Sequence, residues 1–352
     1  MRLLQTLAGA AHGGAELFFE DLAGAFARAG VDQHLVIRAA PERLAKLRRL
    51  NAGLDTLPFA GPLDVFSPWR LQRIARRFKP DVILGWMNRA CRAMPSGNFV
   101  RVGRLGGYYN LKYYRSCDAL ICNTVDIRDY VVREGWPAER AFHIPNFSPV
   151  EDATPLPRTS FDTPPEAKIL LVLARLERVK GIDTAIAALA HIPDAVLWIA
   201  GEGGLLNELR NQARGGGVLD RVRFLGWRAD RGALLRTADV CLVPSRHEPF
   251  GNVVVNAWAQ GTPLVASRSE GPGALIADGE DGLLVPVDDA VALASAAKRV
   301  LADRGLAQRL VAGGRRKSRD TYSEAAVVAR YLEVFRALTA ARADLRPRQS
   351  PA

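Results

Sequence analysis

Cysteine is scarce in this sequence: Cys91, Cys117, Cys122 and Cys241 are the four in 352 residues, with no CxxC pair and no Cys/His cluster at zinc spacing. That excludes a disulfide-stapled secreted domain and a structural metal, and fits a reducing cytoplasm. No stretch of about 18 apolar residues occurs, which excludes a transmembrane helix. The opening MRLLQTLAGAAHGG has the Arg, short apolar run and small residues of a signal peptide, but Gln5 and Thr6 interrupt the run. It therefore reads as a first buried strand. Repeats of solenoid length are absent as well. The glycine stretch GAAHGGAE (9–16) lacks GxGxxG spacing, and no acidic residue closes the second apolar run, QHLVIR. A nicotinamide dehydrogenase is thereby disfavoured. No DxD arrangement suited to a metal–diphosphate is present, so cationic side chains must neutralise any such ligand.

What is present belongs to a folded soluble chain. Hydrophobic residues make up 48% and charged residues 24%, enough to bury sizeable cores, and the length suits two domains. The net charge of +11 is spread, with 21 basic against 15 acidic side chains over residues 1–155 and 27 against 22 over the rest. No nucleic-acid partner is expected from that distribution. Basic clusters do occur at RLAKLRR (43–49) and WRLQRIARRF (69–78). In the second, Leu71, Ile74, Ala75 and Phe78 follow helical spacing, with Arg73, Arg76 and Arg77 on the other side. This helix either only packs on the following strand, DVILGW (81–86), or also turns its basic face to an anionic membrane surface.

Short apolar runs alternate with helical patterns along the chain. RLLQTL, QHLVIR, DVILGW, FVRVGRL, ALICNT and AFHIP read as strands of one half; KILLVLARL, AVLWIAG, VRFLGW, DVCLVPS, PLVAS and GLLVPV read as strands of the other. Helical stretches such as AELFFEDLAGAFARAG and GIDTAIAALAHI lie between them, so each half is a βαβ series with a parallel sheet. The expected fold is α/β: two doubly wound, Rossmann-like domains facing one another across a cleft. The six prolines between Pro145 and Pro165 mark the junction. The expected divisions are a domain over 1–150, a proline-rich linker over 151–167, a second domain over 168–322, a helix over 323–341 packing back toward the first domain, and a tail over 342–352.

Three places carry groups suited to chemistry. Gly13 and Gly14 lie at the first strand-to-helix turn and Gly201, in AGEGGLLNEL (200–209), at the analogous turn of the second half; each is a tight turn or a site where backbone approaches a phosphate or sugar. Arg175 follows the first strand of the second half, and Lys180 precedes a helix that begins after Gly181. Two such cations with helix N-terminal amides suit a diphosphate, unless they are only solvated loop cations. The third place is HEPFGNVVVNAWAQGTP (247–263), where Asn256 stands eight residues past Glu248 and Gln260 four further on.

Together these stretches resemble the retaining glycosyltransferases of family 4, which have the GT-B fold. ARLERVKG, AGEG, VRFLG, DVCLVPSRHEPFGNVVVNAWAQGTPLVAS and ADGEDGLLVPVDD follow that family's order and spacing over residues 170–290, and GGAE (13–16) and IPNF (144–147) add to the match. RVGRLGGYYNLKYYRSCDALICNT (101–124) is most similar to bacterial enzymes acting on lipopolysaccharide or related envelope glycans. The resemblance implies that Glu248 bonds hydroxyls of a donor sugar and that the backbone after Phe250, at Gly251 and Asn252, meets a diphosphate. It also implies that Arg175 and Lys180 bind this diphosphate and stabilise it as leaving group, where preorganised charge lowers the barrier. The family's second glutamate, which grips the ribose, is Asn256 here. Asn keeps an acceptor and adds a donor, so it either serves the ribose with altered donor preference or is a polar residue satisfied inside a helix.

Many relatives carry a histidine near the end of the fourth or fifth strand of the first domain. The nearest residues here are Arg104, Trp86 and Asn88, with His12 in the glycine loop, and no general base is assigned. Tyr108, Tyr109, Tyr113 and Tyr114 alternate with Lys112 and Arg115, as an acceptor-contacting surface or as packing and helix-surface residues. The resemblance thus implies a glycosyltransferase that moves a sugar from a nucleoside-diphosphate sugar to a glycan or glycolipid acceptor. The cysteine pattern puts it in the cytoplasm, the missing DxD makes it metal-independent, and the basic helix, where it meets lipid rather than only packing, makes it peripheral on the inner membrane. It needs no cofactor, the nucleotide sugar being a co-substrate. A nucleotide-sugar epimerase of this fold should lack the EPFG arrangement. A catalytically silent binding protein is favoured only by Asn256.

Overall fold

A computed structural model describes residues 1–10, 13–60, 64–149 and 153–344. The chain forms two compact units, Met1–Asn146 with the helix Glu324–Asp344, and Phe147–Ser323. In the first unit β1 (Arg2–Leu7), β2 (Asp32–Ile37), β3 (Gly53–Thr56), β4 (Val82–Trp86), β5 (Val100–Leu105), β6 (Ala119–Cys122) and β7 (Ala141–His143) make a parallel sheet in the order β3-β2-β1-β4-β5-β6-β7. In the second, β8 (Lys168–Leu173), β9 (Ala195–Ala200), β10 (Val222–Gly226), β11 (Val240–Val243), β12 (Leu264–Ser267) and β13 (Leu283–Val285) are ordered β10-β9-β8-β11-β12-β13, again parallel. Each order reverses once, between β1 and β4 and between β8 and β11. The carboxyl ends of strands at such reversals form ligand-binding crevices.

Central parallel strands are covered on both faces, which is why they are continuous apolar runs rather than alternating ones. All six residues of β9, AVLWIA, are buried. The strand β3 has no such run, and its four residues GLDT are only half-covered at the sheet edge. It is set by a tertiary contact: His34 on β2 pairs in register with Gly53, and its Nε2 lies 2.8 Å from Asp55 Oδ2. Helices cover both sheets through apolar stripes, as in Gly14–Arg28, where Phe18, Phe19, Leu22, Ala23 and Phe26 are buried at helical spacing. Asp289 and Asp303 cap the helices Ala290–Ala302 and Arg304–Asp320 by accepting from Ala292 and Leu306 N–H. Trp86, Trp198 and Trp258 are fully enclosed, and each indole N–H finds an acceptor, in Gln5, Thr163 and the Asp281 carbonyl.

The proline-rich stretch is not a free linker where it is described. Leu156 N–H donates to Thr237 Oγ1, and Arg158 bonds Asp239 and the Ala167 carbonyl. Both fasten the stretch to the second unit. The helix Glu324–Asp344 belongs to the first: Arg28 bonds both oxygens of Glu324 at 2.8 and 2.6 Å, and Tyr331 meets Phe26 edge-on. It continues past residue 341, where the sequence suggested a tail, because Arg342 is anchored to the Gly97 carbonyl and Asp118.

The basic helix spans Phe66–Phe78, with Leu71, Ile74 and Ala75 buried and Arg73, Arg76 and Arg77 exposed. Among the described residues no helix is long and apolar enough to cross a membrane.

Candidate active site

In the second unit the chain leaves β8 through Arg175 and reaches Lys180 in a short 3₁₀ turn, Arg178–Lys180. Gly181 ends that turn at φ 60° and begins the helix Ile182–Leu189. A Cβ there would lie 1.9 Å from the Pro244 carbonyl oxygen, so only glycine lets this turn lie against the segment leaving β11. The close approach unites residues 68 apart: Lys180 Nζ donates to Glu248 Oε2 at 2.6 Å, with the two side chains 16% and 17% exposed. Charge-assisted bonds this short and this sheltered are among the stronger polar contacts in proteins.

The loop carrying Glu248 is held on two flanks. On one, the Val179 carbonyl accepts from the N–H groups of Arg246 and His247 at 2.9 and 3.2 Å. The Arg246 guanidinium grips both oxygens of Asp183 at 2.8 and 2.6 Å and reaches Asp288 at 2.6 Å. Burial is the largest single influence and opposes the charge on Asp183, but the bonds and charge of Arg246 together with backbone N–H groups outweigh it and hold the carboxyl below its ordinary pKa. On the other flank, Glu270 follows β12: its Oε2 accepts the Glu248 N–H at 3.2 Å and its Oε1 lies 2.8 Å from His247 Nδ1. Here too burial is overcome, by the bonds from His247 and nearby backbone N–H groups, and the carboxyl titrates below its ordinary range.

The other candidates fall into distinct environments. Arg175 stands on the exposed side of its turn, paired with Glu177 at 2.6 Å and not with Glu248. Gly201 has φ 151°, and a Cβ would come within 1.9 Å of the Ala174 carbonyl oxygen, so its packing supports the turn that carries Arg175. Phe250 is buried, its ring against Tyr322, so only its backbone can face a ligand. Gly251 begins the helix Asn252–Gln260, on which Asn252, Val253 and Asn256 form the half-exposed face. The Asn256 side chain makes no hydrogen bond to the described residues. Gln260 is structural: it accepts from Arg236 Nε at 2.9 Å and donates to the Pro149 carbonyl at 3.4 Å.

Gly13 and Gly14 lie in the first unit, at the start of the helix Gly14–Arg28. Their turn closes on the buried Glu16, which accepts from Ala10 N–H at 2.9 Å. His12 lies outside the described residues. Arg104 is 3% exposed, bonds the Leu105 carbonyl and Asn146, and packs over Phe18 and Trp86. It and Trp86 are therefore core residues, unsuited to taking a proton from an acceptor. Asn88 has its Oδ1 buried without a hydrogen-bond partner among the described residues. The tyrosines do not form one surface, since Tyr114 is fully buried while Tyr108 is exposed and bonded to Asp126. Among the described residues no group of His, Cys, Asp or Glu could hold a metal ion. Arg246, Asp183 and Glu270 were not singled out from the sequence; the one available signal was that Glu270 follows a strand's carboxyl end.

Two doubly wound parallel sheets, with this charged constellation at the β8/β11 reversal, are the architecture of the GT-B fold. The fold is shared with the Anabaena protein HepE, crystallised with UDP and glucose, at a TM-score of 0.81 over 95% of this chain and 99% of that one, with 20% identity. The chain belongs to glycosyltransferase family 4: residues 12–151 match "Glycosyltransferase Family 4" and residues 157–317 match "Glycosyl transferases group 1". It is 37% identical to the lipopolysaccharide core biosynthesis glycosyltransferase LpsE of Rhizobium meliloti, over 92% of this chain and 96% of that protein. To LpsD of the same organism, also a lipopolysaccharide core biosynthesis glycosyltransferase, it is 35% identical over 92% and 95%.

Proposed function

We propose that this glycosyltransferase moves a sugar from a nucleoside diphosphate to a lipopolysaccharide core or related envelope glycan, with retention of anomeric configuration and without a metal or other cofactor. The observation that carries the reading is the sheltered Lys180–Glu248 pair at the β8/β11 reversal, beside the N-termini of the helices Ile182–Leu189 and Asn252–Gln260. As the bond from the anomeric carbon to the diphosphate oxygen lengthens, negative charge grows on the departing diphosphate. Lys180, Arg175 and the helix N-termini supply positive potential for it, while Glu248 accepts from sugar hydroxyls. The leaving phosphate itself takes the acceptor's proton. UDP and glucose in HepE support a nucleotide-sugar donor, and the core biosynthesis role named for LpsE and LpsD supports the acceptor class. Thermal shift against a panel of nucleotide sugars tests the donor side, since ligand at about 100 times its dissociation constant stabilises by about 2.7 kcal/mol. A panel in which no nucleotide sugar raises the melting temperature or supports transfer would retire the reading.

The same proposal puts the protein in the cytoplasm, at the surface of the inner membrane. Supporting this are the exposed Arg73, Arg76 and Arg77 and, at the start of their helix, the exposed Val65, Phe66 and Trp69. The Arg73 guanidinium stacks 5.0 Å from the Trp69 ring centre, joining the basic and apolar parts of one surface. Such a mixture suits an anionic lipid interface.

A further inference from the structure

The backbone of Glu248 is gripped at both polar groups by two consecutive residues from another strand end. Glu270 accepts its N–H, and Gly271 N–H donates to its carbonyl at 2.8 Å. The fit leaves no space, since a Cβ on Gly271 would stand 2.2 Å from the Phe250 carbonyl oxygen and 2.6 Å from that of Glu248. Glu270 also ties down the preceding residue through His247 Nδ1. The His247 and Glu270 side chains are 48% and 43% exposed, and ion pairs so open to water add little to global stability. What they determine is local, namely the direction in which the Glu248 side chain leaves the main chain.

We propose that Glu270 is a positioning residue for sugar transfer, acting through Glu248 by fixing its main chain while Lys180 holds its carboxylate. This rests on the reading of Glu248 as the group that meets the donor sugar. Reacting groups lose much of their advantage when displaced by about 1 Å, so a looser Glu248 slows transfer while leaving the diphosphate contacts in place. Glu270→Ala should lower kcat by roughly tenfold or more, with little change in melting temperature or in affinity for the nucleoside diphosphate alone. Glu270→Gln, whose amide oxygen still accepts the Glu248 N–H, should recover most of the rate. In a Glu248→Ala background the further change Glu270→Ala should have almost no effect, because residues acting as a unit are not additive. Wild-type kcat in Glu270→Ala while Glu248→Ala is impaired overturns the proposal and spares the reading of Glu248. A parallel loss of melting temperature and diphosphate affinity overturns it in favour of general loop support. If Glu248→Ala is itself neutral, both assignments fall.

Discussion

Glu248→Gln should move binding and turnover in opposite directions. Without ligand, Lys180 is engaged by Glu248 at 2.6 Å, so an incoming diphosphate competes with a carboxylate for its cation. Two unit charges at that distance attract by about 6 kcal/mol at an effective dielectric of about 20, most of it offset by desolvation. The net worth is closer to that of a charge-assisted bond, about 1.5–3 kcal/mol, against about 0.5–1.5 for a neutral one. Substituting glutamine keeps the shape and lowers the competition by about 1 to 1.4 kcal/mol, so nucleoside diphosphate should bind about five- to tenfold tighter. Transfer should slow by at least about tenfold, and by about 10²-fold in Glu248→Ala, as a bond to the sugar is weakened or lost. Calorimetry with nucleoside diphosphate alone measures the first effect and initial rates the second. Lys180→Ala, run alongside, should weaken diphosphate binding by up to about 1.5–3 kcal/mol. Weaker diphosphate binding in Glu248→Gln, or unchanged turnover in a folded Glu248→Ala protein, would refute the reasoning.

Asn256→Glu should hold or tighten donor affinity without loss of melting temperature, because the position is half-exposed on its helix and a carboxylate can accept from two hydroxyls; a large fall in melting temperature that donor does not rescue argues against a ribose role. Asp183 is held below its ordinary pKa in the folded protein, so its contribution to stability is present above about pH 4 and lost as pH falls through the folded value. Asp183→Asn should therefore have a lower melting temperature at neutral pH and a flatter decline below about pH 4, whereas parallel acid profiles would show that the Arg246 contact does not govern acid stability. Replacing Arg73, Arg76 and Arg77 by Gln should weaken salt-sensitive sedimentation with anionic vesicles, at about 1 kcal/mol per charge, and leave transfer to a soluble acceptor intact. Equal sedimentation of the wild type with neutral and anionic vesicles rules that surface out.

The central strands, their parallel pairing and the family were legible in the sequence because each rests on local pattern. A run such as AVLWIA has to be covered on both faces, and a parallel sheet with crossover helices is the architecture that covers it. The positions of Lys180 and Glu248 were legible as motifs, but their contact was not, since it depends on two turns 68 residues apart meeting across Gly181 and Pro244. Arg104 shows the opposite limit: a cation after a strand end looks available to a ligand until Phe18, Trp86 and Asn146 enclose it. β3 has too few apolar residues to announce itself and exists because His34 and Asp55 meet at the sheet edge. Glu270 belongs to no pattern of period or spacing, and its part is assigned by the N–H of a residue 22 positions earlier. Sequence alone determined what is local, the burial of each segment and the chemistry it carries; only tertiary structure decided which charges pair, because pairing depends on distances that strand order and tight glycine turns create.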